Sequence, residues 1–158
     1  MGGLRIVPDI ALGELRPQDS AMLILAGGDT WGEDSMAGFR AAARQFLAAG
    51  VPVAAICGAT FGLALAGLLD DRAHTSNDAG YLALTGYAGG GRYVAEPVVA
   101  DGDLITATGV APAHFARAIF ERLAVYTDGV AASWFKLYGD RDPAGFYELM
   151  AVPAGRPA

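Results

Sequence analysis

Two uninterrupted apolar runs, each followed by a helical pattern, organise the first half of the chain. Residues 20–26 and 51–56 contain almost no polar positions, which is typical of parallel strands buried on both faces. Apolar residues recurring three and four positions apart predict a helix over 35–49, with Ser35 as its N-cap, and a second over about 59–69. The pattern therefore predicts two central parallel strands, each followed by a helix.

The second half of the chain adds a hairpin and further helices. Two β-prone runs at 93–99 and 104–108 flank an Asp-Gly pair, which is a strong hairpin signal. Helical spacing follows over 112–126, and shorter helices are expected at 131–138 and 143–150. This order of elements predicts an α/β fold with a mainly parallel sheet.

Composition narrows the class of protein. With 158 residues, of which 53% are hydrophobic, residues 1–158 are expected to form one domain with one sizeable core. A net charge of −6 disfavours binding to nucleic acid or to anionic lipid. No apolar run approaches the roughly 20 residues of a membrane span, and no secretory signal opens the chain. A single cysteine rules out an intramolecular disulfide, so we expect a cytoplasmic protein.

Cys57 is the strongest candidate for chemistry. It lies between an apolar strand and a helix, where ligands of open α/β sheets collect. A sharp turn that exposes a nucleophile needs small neighbours, and Ala55, Gly58 and Ala59 meet that need. The helix N-terminus would favour a thiolate and leave backbone N–H groups free for an oxyanion. The competing interpretation is a small hydrophobe that ends a buried strand.

A glycine-rich loop follows the first strand and should lie at the same edge of the sheet as Cys57. It contains Gly28, Asp29 and Trp31, and its paired glycines would let backbone N–H groups approach a substrate. A plain strand-to-helix connection is the simpler interpretation of the loop. It is not a phosphate-binding loop, since the chain contains no G-x-x-x-x-G-K-[ST] sequence.

The densest polar segment runs from His74 to Asp78. A histidine 17 residues after a candidate nucleophile suggests a Cys–His pair, although a structural histidine is the simpler hypothesis. His114 is expected on a solvated helix face. Neither histidine has metal-ligand spacing with Cys57, so no zinc site is predicted.

The residues around the candidate nucleophile resemble the ThiJ/PfpI family of the class I glutamine-amidotransferase-like superfamily. The resemblance is carried by 54–69 (AAICGATFGLALAGLL) and 72–77 (RAHTSN), with 2–9 and 23–29 upstream and 104–109 downstream. It implies a flavodoxin-like three-layer sandwich around a mainly parallel sheet. It also implies a protein that needs no cofactor.

Matched position by position, the resemblance assigns roles to several residues. Cys57 would be the reactive elbow cysteine, and the backbone amides of Gly28 and Gly58 would form the oxyanion pocket. The family's histidine follows a Thr-containing pair, but Asn77 stands there in this sequence and His74 lies on the other side of the pair. The residues expected to line the pocket are Gly28, Asp29, Trp31, Gly58, His74 and Asn77.

The resemblance also predicts a departure from the family. About 40 to 50 residues that usually form a first strand, helix and strand have no counterpart, in line with the length of one βαβ unit. We expect either a truncated chain or an apolar sheet edge covered by a partner subunit.

Three functions are compatible with these features. The first is a cysteine hydrolase of the protease or amidase type with Cys57 as nucleophile. The second is a non-hydrolytic stress or redox sensor in which Cys57 is oxidised. The third is a binding domain without cysteine chemistry. A homodimer is expected under all three.

Overall fold

A four-stranded mixed sheet forms the centre of the protein. The computed structural model describes residues 5–126 and 129–152. The strands are β1 (Leu23–Leu25), β2 (Val53–Ile56), β3 (Val98–Asp101) and β4 (Leu104–Ala107). Their order in the sheet is β1-β2-β4-β3, and β1, β2 and β4 run parallel while β3 pairs antiparallel with β4. The predicted mainly parallel sheet is confirmed.

The hairpin between β3 and β4 is confirmed as well. Its turn contains Gly102, whose φ of +60° is a conformation that glycine adopts without steric cost. The register pairs Asp101 with Leu104 and Val98 with Ala107. The β4 strand is buried along its whole length, which fits its position between two other strands.

Helices cover both faces of the sheet. They are α1 (Ala37–Ala48), α2 (Gly58–Leu65), α3 (Ala79–Ala83), α4 (Pro112–Leu123), α5 (Val130–Tyr138) and α6 (Ala144–Ala151). Successive residues of β2 point to opposite faces: Ala55 belongs to one apolar cluster with Phe46, and Ala54 to a second with Phe115 and Ile119. Two cores separated by one sheet define the flavodoxin-like three-layer architecture.

The position of β1 differs from the prediction. The apolar run at 20–26 indicated a central strand buried on both faces, but β1 is three residues long and pairs only with β2 among the described residues. Ile24 is consequently 52% exposed. An apolar groove of about 330 Å³ lies beside this strand, between Ile10, Leu12 and Phe39.

The ends of the helices also depart from the predicted pattern. A 3-10 turn over Asp34–Met36 precedes α1, and Ser35 donates to the Glu33 carboxylate at 3.1 Å instead of capping the helix. The short helix α3 was not predicted, since it spans too few residues to show a period. Within the described part of the chain, no helix has the length and apolarity needed to cross a membrane.

Candidate active site at the Cys57 elbow

Cys57 occupies a strained turn between β2 and α2. Its backbone has φ 59° and ψ −127°, a region that residues with a Cβ rarely adopt and that costs about 1–3 kcal/mol. Its N–H still donates to the Ala107 carbonyl of β4 at 3.0 Å, so the strand pairing persists up to the turn. The predicted sharp strand-to-helix elbow is therefore present, and it presents the thiol at the carboxyl edge of the sheet.

Close backbone approach explains why glycines surround the elbow. A Cβ on Gly58 would overlap the carbonyl oxygen of Gly28. A Cβ on Gly27 would lie 2.8 Å from the Cβ of Cys57. The loop after β1 and the elbow are therefore in direct contact, because the carboxyl ends of parallel strands meet at one edge.

Asn77 and Gly109 complete the contacts of the sulfur. The Asn77 Nδ2 donates to Cys57 Sγ at 3.4 Å, and the Gly109 N–H donates to Asn77 Oδ1 at 2.8 Å. A Cβ on Gly109 would lie 2.8 Å from Sγ. Gly109 is not among the predicted site residues, although its place directly after the predicted strand 104–108 is an available signal.

Two backbone donors near the elbow are free in the described part of the chain. The N–H groups of Gly28 and Gly58 donate to no acceptor among residues 5–126 and 129–152, whereas the Cys57 N–H is used by β4. The Gly28 nitrogen lies 3.2 Å from the position that a Gly58 Cβ would take, so the two glycines are close together. Such a pair of unpartnered donors can stabilise an anion that forms next to the sulfur.

Trp31 stabilises the glycine-rich loop after β1 through a hydrogen bond and through packing. Its side chain is buried, its Nε1–H donates to the Ala26 carbonyl at 2.9 Å, and it packs against Gly62 of α2. Any Cβ at Gly62 would come within 2.5 Å of the indole ring. Trp31 therefore belongs to the core and holds the loop, which differs from the pocket-lining position that we predicted.

Asp29 and Tyr81 supply the titratable groups near the thiol. Asp29 is exposed at the tip of the loop after β1. Burial raises the pKa of Tyr81 above its ordinary value, and negative charge on Cys57 and on Asp29 adds to the rise. Sequence patterns gave no signal for Tyr81 because the helix that carries it, α3, was not predicted.

His74 lies in a different environment from Cys57. The ring is fully buried, with Nδ1 at 2.8 Å from the Arg72 carbonyl and Nε2 at 2.9 Å from the Tyr87 hydroxyl. Because the Arg72 carbonyl can only accept, Nδ1 carries a proton, and in the neutral ring Nε2 then accepts from Tyr87. Both nitrogens are occupied, so the predicted Cys–His pair and the pocket position of His74 are not formed.

The remaining candidates also have clear positions. His114 is partly buried and stacks edge-on against Phe135, with 4.7 Å between ring centroids. Among the described residues, no three His, Cys, Asp or Glu side chains cluster in a way that could hold a metal ion. A groove of about 600 Å³ is lined by Asn77, Asp78 and Glu96, so it adjoins the residue whose amide donates to the thiol.

A cysteine on a strained strand-to-helix turn, at the carboxyl edge of a mainly parallel sheet, defines the class of nucleophile-elbow α/β proteins. The chain belongs to the DJ-1/PfpI family, whose sequence model matches residues 1–122. The resemblance seen in the sequence is therefore confirmed.

Relatives from bacteria support this placement. The chain is 42% identical over 152 residues to "Uncharacterized protease YoaZ" of Bacillus subtilis, covering 95% of this chain and 72% of that protein. It is 34% identical over 125 residues to "Uncharacterized protease YdeA" of the same species, covering 78% of this chain and 62% of that protein.

Two solved structures share the fold. A thiJ/pfpI family protein from Bacillus anthracis is similar with a TM-score of 0.89 and 42% identity, over 95% of this chain and 72% of that one. A DJ-1 superfamily protein from Agrobacterium tumefaciens is similar with a TM-score of 0.79 and 31% identity, over 89% and 76% of the two chains. Both relationships confirm the flavodoxin-like architecture.

Proposed function

We propose that the protein is a cysteine hydrolase of the protease or amidase type, with Cys57 as its nucleophile. The observation that carries this proposal is the elbow itself. A cysteine is held at φ 59° next to two free backbone N–H groups, those of Gly28 and Gly58. Backbone strain of this kind persists only where the surrounding structure maintains it, and it concentrates at active sites.

The proposed reaction proceeds through an acyl-enzyme. The thiol releases its proton to solvent, and the Cys57 sulfur forms a bond to the carbonyl carbon of the substrate. The carbonyl oxygen becomes an anion that accepts hydrogen bonds from Gly28 and Gly58. The carbon–nitrogen bond then breaks, and the amine leaves with a proton from water. A second water hydrolyses the thioester, which releases a carboxylic acid and restores the thiol.

Two further features agree with this proposal. Both curated relatives described above carry "protease" in their names. Cys57 is the single cysteine of the chain and is a free thiol, which suits a reducing compartment. We therefore place the proposed hydrolase in the cytoplasm.

Comparison of Cys57→Ser and Cys57→Ala with the wild type tests the hydrolase. A panel of peptide and amide substrates is incubated with each protein, and released amine is quantified. Loss of the nucleophile is expected to lower hydrolysis by about a thousandfold or more. Because all three proteins are purified identically, equal hydrolysis by wild type and Cys57→Ala would assign the activity to a contaminant and reject the proposal.

A second candidate is a redox sensor, which is favoured by the donors around the sulfur. Reaction of the thiolate with one peroxide gives a sulfenic acid and releases hydroxide, and a second peroxide gives a sulfinic acid and water. The oxygens of that sulfinate could accept hydrogen bonds from Gly28, Gly58 and the Asn77 amide, which already donates to Sγ. The same geometry thus serves either chemistry.

Peroxide treatment followed by intact mass measurement separates the two candidates. A sensor is expected to gain two oxygens on Cys57 at low peroxide, to stop there, and to hydrolyse none of the panel. A hydrolase is expected to turn over substrate and to lose that activity on oxidation. If oxidation continues directly to three oxygens, the donors do not protect a sulfinate and the sensor hypothesis is rejected.

A further inference from the structure

Asn77 supplies a side-chain hydrogen bond to the candidate nucleophile. We propose that Asn77 is the positioning residue of the site: its amide holds the Cys57 sulfur in the attacking orientation and stabilises its charged form. This inference rests on the proposed role of Cys57 and assigns its partner. Asn77 is the single asparagine of the chain.

The direction of the Asn77 amide follows from its second partner. The Gly109 N–H lies 2.8 Å from Asn77, and a backbone N–H can only donate, so the oxygen of the amide must face Gly109. The NH₂ group is then turned toward Cys57 Sγ, 3.4 Å away. Backbone geometry at Gly109 therefore selects the donor end of the amide for the sulfur.

The segment that carries Asn77 is tied to the elbow. The Ser76 hydroxyl lies 2.7 Å from the Thr60 hydroxyl, and Thr60 also donates to the carbonyl oxygen of the elbow cysteine at 2.6 Å. On the other side, the Thr75 N–H donates to Thr106 of β4 at 2.9 Å. These groups are buried, so Asn77 extends toward the sulfur from an anchored backbone rather than from a free loop.

The charged groups near Cys57 determine how much a hydrogen-bond donor to its sulfur matters. In addition to burial, Cys57 and Asp29, from the loop after β1, both raise the pKa of Tyr81 through negative charge, so these three groups share one region. Asp78, which follows Asn77 directly, adds a further carboxylate. Helix α2 and residues 108–111 after β4 contain no ionisable side chain. A hydrogen bond from the Asn77 Nδ2–H to the sulfur favours the charged form of the sulfur.

The variant Asn77→Asp removes the donor. Aspartate keeps the oxygen that accepts from Gly109 and the shape of the side chain, but it replaces the donating NH₂ with a charged oxygen. Cys57 is the only thiol, so iodoacetamide labelling followed by intact mass reports on it alone. At neutral pH we expect alkylation to slow by about tenfold or more, and to recover as the pH is raised. Asn77→Ala should give a smaller loss with the same recovery.

Two variants separate the lost hydrogen bond from the added charge, since Asn77→Ala removes the donor without adding a charge and Ala83→Asp adds a charge without removing the donor. Ala83→Asp adds one negative charge at an exposed position of α3 and is expected to change the rate by less than about twofold. The proposal is overturned if Asn77→Asp labels like the wild type, if Ala83→Asp slows labelling equally, or if the loss persists at high pH.

Alkylation does not depend on hydrolysis, so the two proposals can fail separately. A shifted alkylation profile without any Cys57-dependent hydrolysis would retain the role of Asn77 and reject the hydrolase. Cys57-dependent hydrolysis with an unshifted profile in Asn77→Asp would retain the hydrolase and reject the role of Asn77.

Discussion

Cys57 and His74 are both capable of chemistry, yet the protein surrounds them in opposite ways. His74 is fully buried, and both of its nitrogens have partners in Arg72 and Tyr87. Cys57 is partly exposed, lies on strained backbone and has free N–H groups beside it. The imidazole has its hydrogen bonds satisfied, whereas the surroundings of the thiol hold unused donors.

This difference is the one that we expect between a structural polar residue and a reactive one. A buried group whose hydrogen bonds are complete contributes to stability and has no capacity left for a substrate. A site, in contrast, must keep some donors unpaired in the resting state so that they can bind charge that develops during reaction. The following variants test whether the two regions divide stability and reactivity in this way.

Removal of the His74 ring should produce the largest change in stability. His74→Ala leaves the Tyr87 hydroxyl without its partner and opens a cavity, so we expect the free energy of unfolding to fall by about 3 kcal/mol. Cys57→Ala should change it by less than about 0.5 kcal/mol. Urea titration monitored by circular dichroism gives both values. His114→Ala is the control for loss of a partly exposed histidine.

The contrast between His74 and Cys57 would be wrong if His74→Ala had the same free energy of unfolding as the wild type. The contrast would also be wrong if the rate of Cys57 alkylation in folded His74→Ala protein fell to that of an inaccessible thiol. His74 would then act on the sulfur.

Space around the sulfur is the next feature to test. Gly109→Ala adds a Cβ that would lie 2.8 Å from Sγ and 3.2 Å from Asn77 Oδ1, so the side chains must separate. We expect alkylation of Cys57 to slow by about tenfold and stability to fall by about 1 kcal/mol. Gly91→Ala is the control, because an added Cβ there meets nothing within 4 Å. An unchanged rate of alkylation in Gly109→Ala would show that the close contact between Gly109 and the Cys57 sulfur does not orient the thiol.

The sequence allowed prediction of the elements whose signals are local. An apolar run that ends in Cys57-Gly58 defined β2 and the elbow, and the Asp-Gly pair before β4 defined the hairpin. Gly28, Gly58 and Asn77 could be placed near Cys57 because parallel strands end at one edge and because the family motif aligned them.

Features that depend on distant contacts could not be predicted. The hydrogen bond between Gly109 and Asn77 joins residues 32 positions apart, and neither residue type indicates the other. The burial of His74 depends on Tyr87, which belongs to a segment without a clear period. The edge position of β1 follows from which strands pair, and an apolar run alone does not specify its neighbours.

Backbone strain at the elbow predicts that glycine stabilises the protein relative to alanine at position 57, which is the reverse of the usual order. Glycine adopts φ 59° without a steric penalty, whereas alanine retains it, so Cys57→Gly should be more stable than Cys57→Ala by about 1 kcal/mol. Ala41→Gly, at an exposed helical position in α1, should instead lose about 1 kcal/mol. Thermal and urea unfolding of the four proteins, wild type included, measure both differences. A Cys57→Gly protein less stable than Cys57→Ala would mean that the elbow stores no strain.

The smallest expected effect is a change in stability with pH at the His74 side of the comparison. Burial raises the pKa of Tyr87, with the charges of Tyr93 and Asp70 adding to the rise, so the folded protein favours the neutral phenol that donates to His74. The stability from this preference is complete below the ordinary tyrosine pKa of about 10 and is lost as pH rises through the folded-state value. The free energy of unfolding of Tyr87→Phe should be about 1 kcal/mol below that of the wild type at neutral pH. This difference between the two proteins should narrow above about pH 10. Tyr81 titrates in both proteins and cancels in the difference. A gap that stays constant with pH would mean that the phenol proton is not held by the buried imidazole, and His74 would then lack the complete hydrogen bonding that separates it from Cys57.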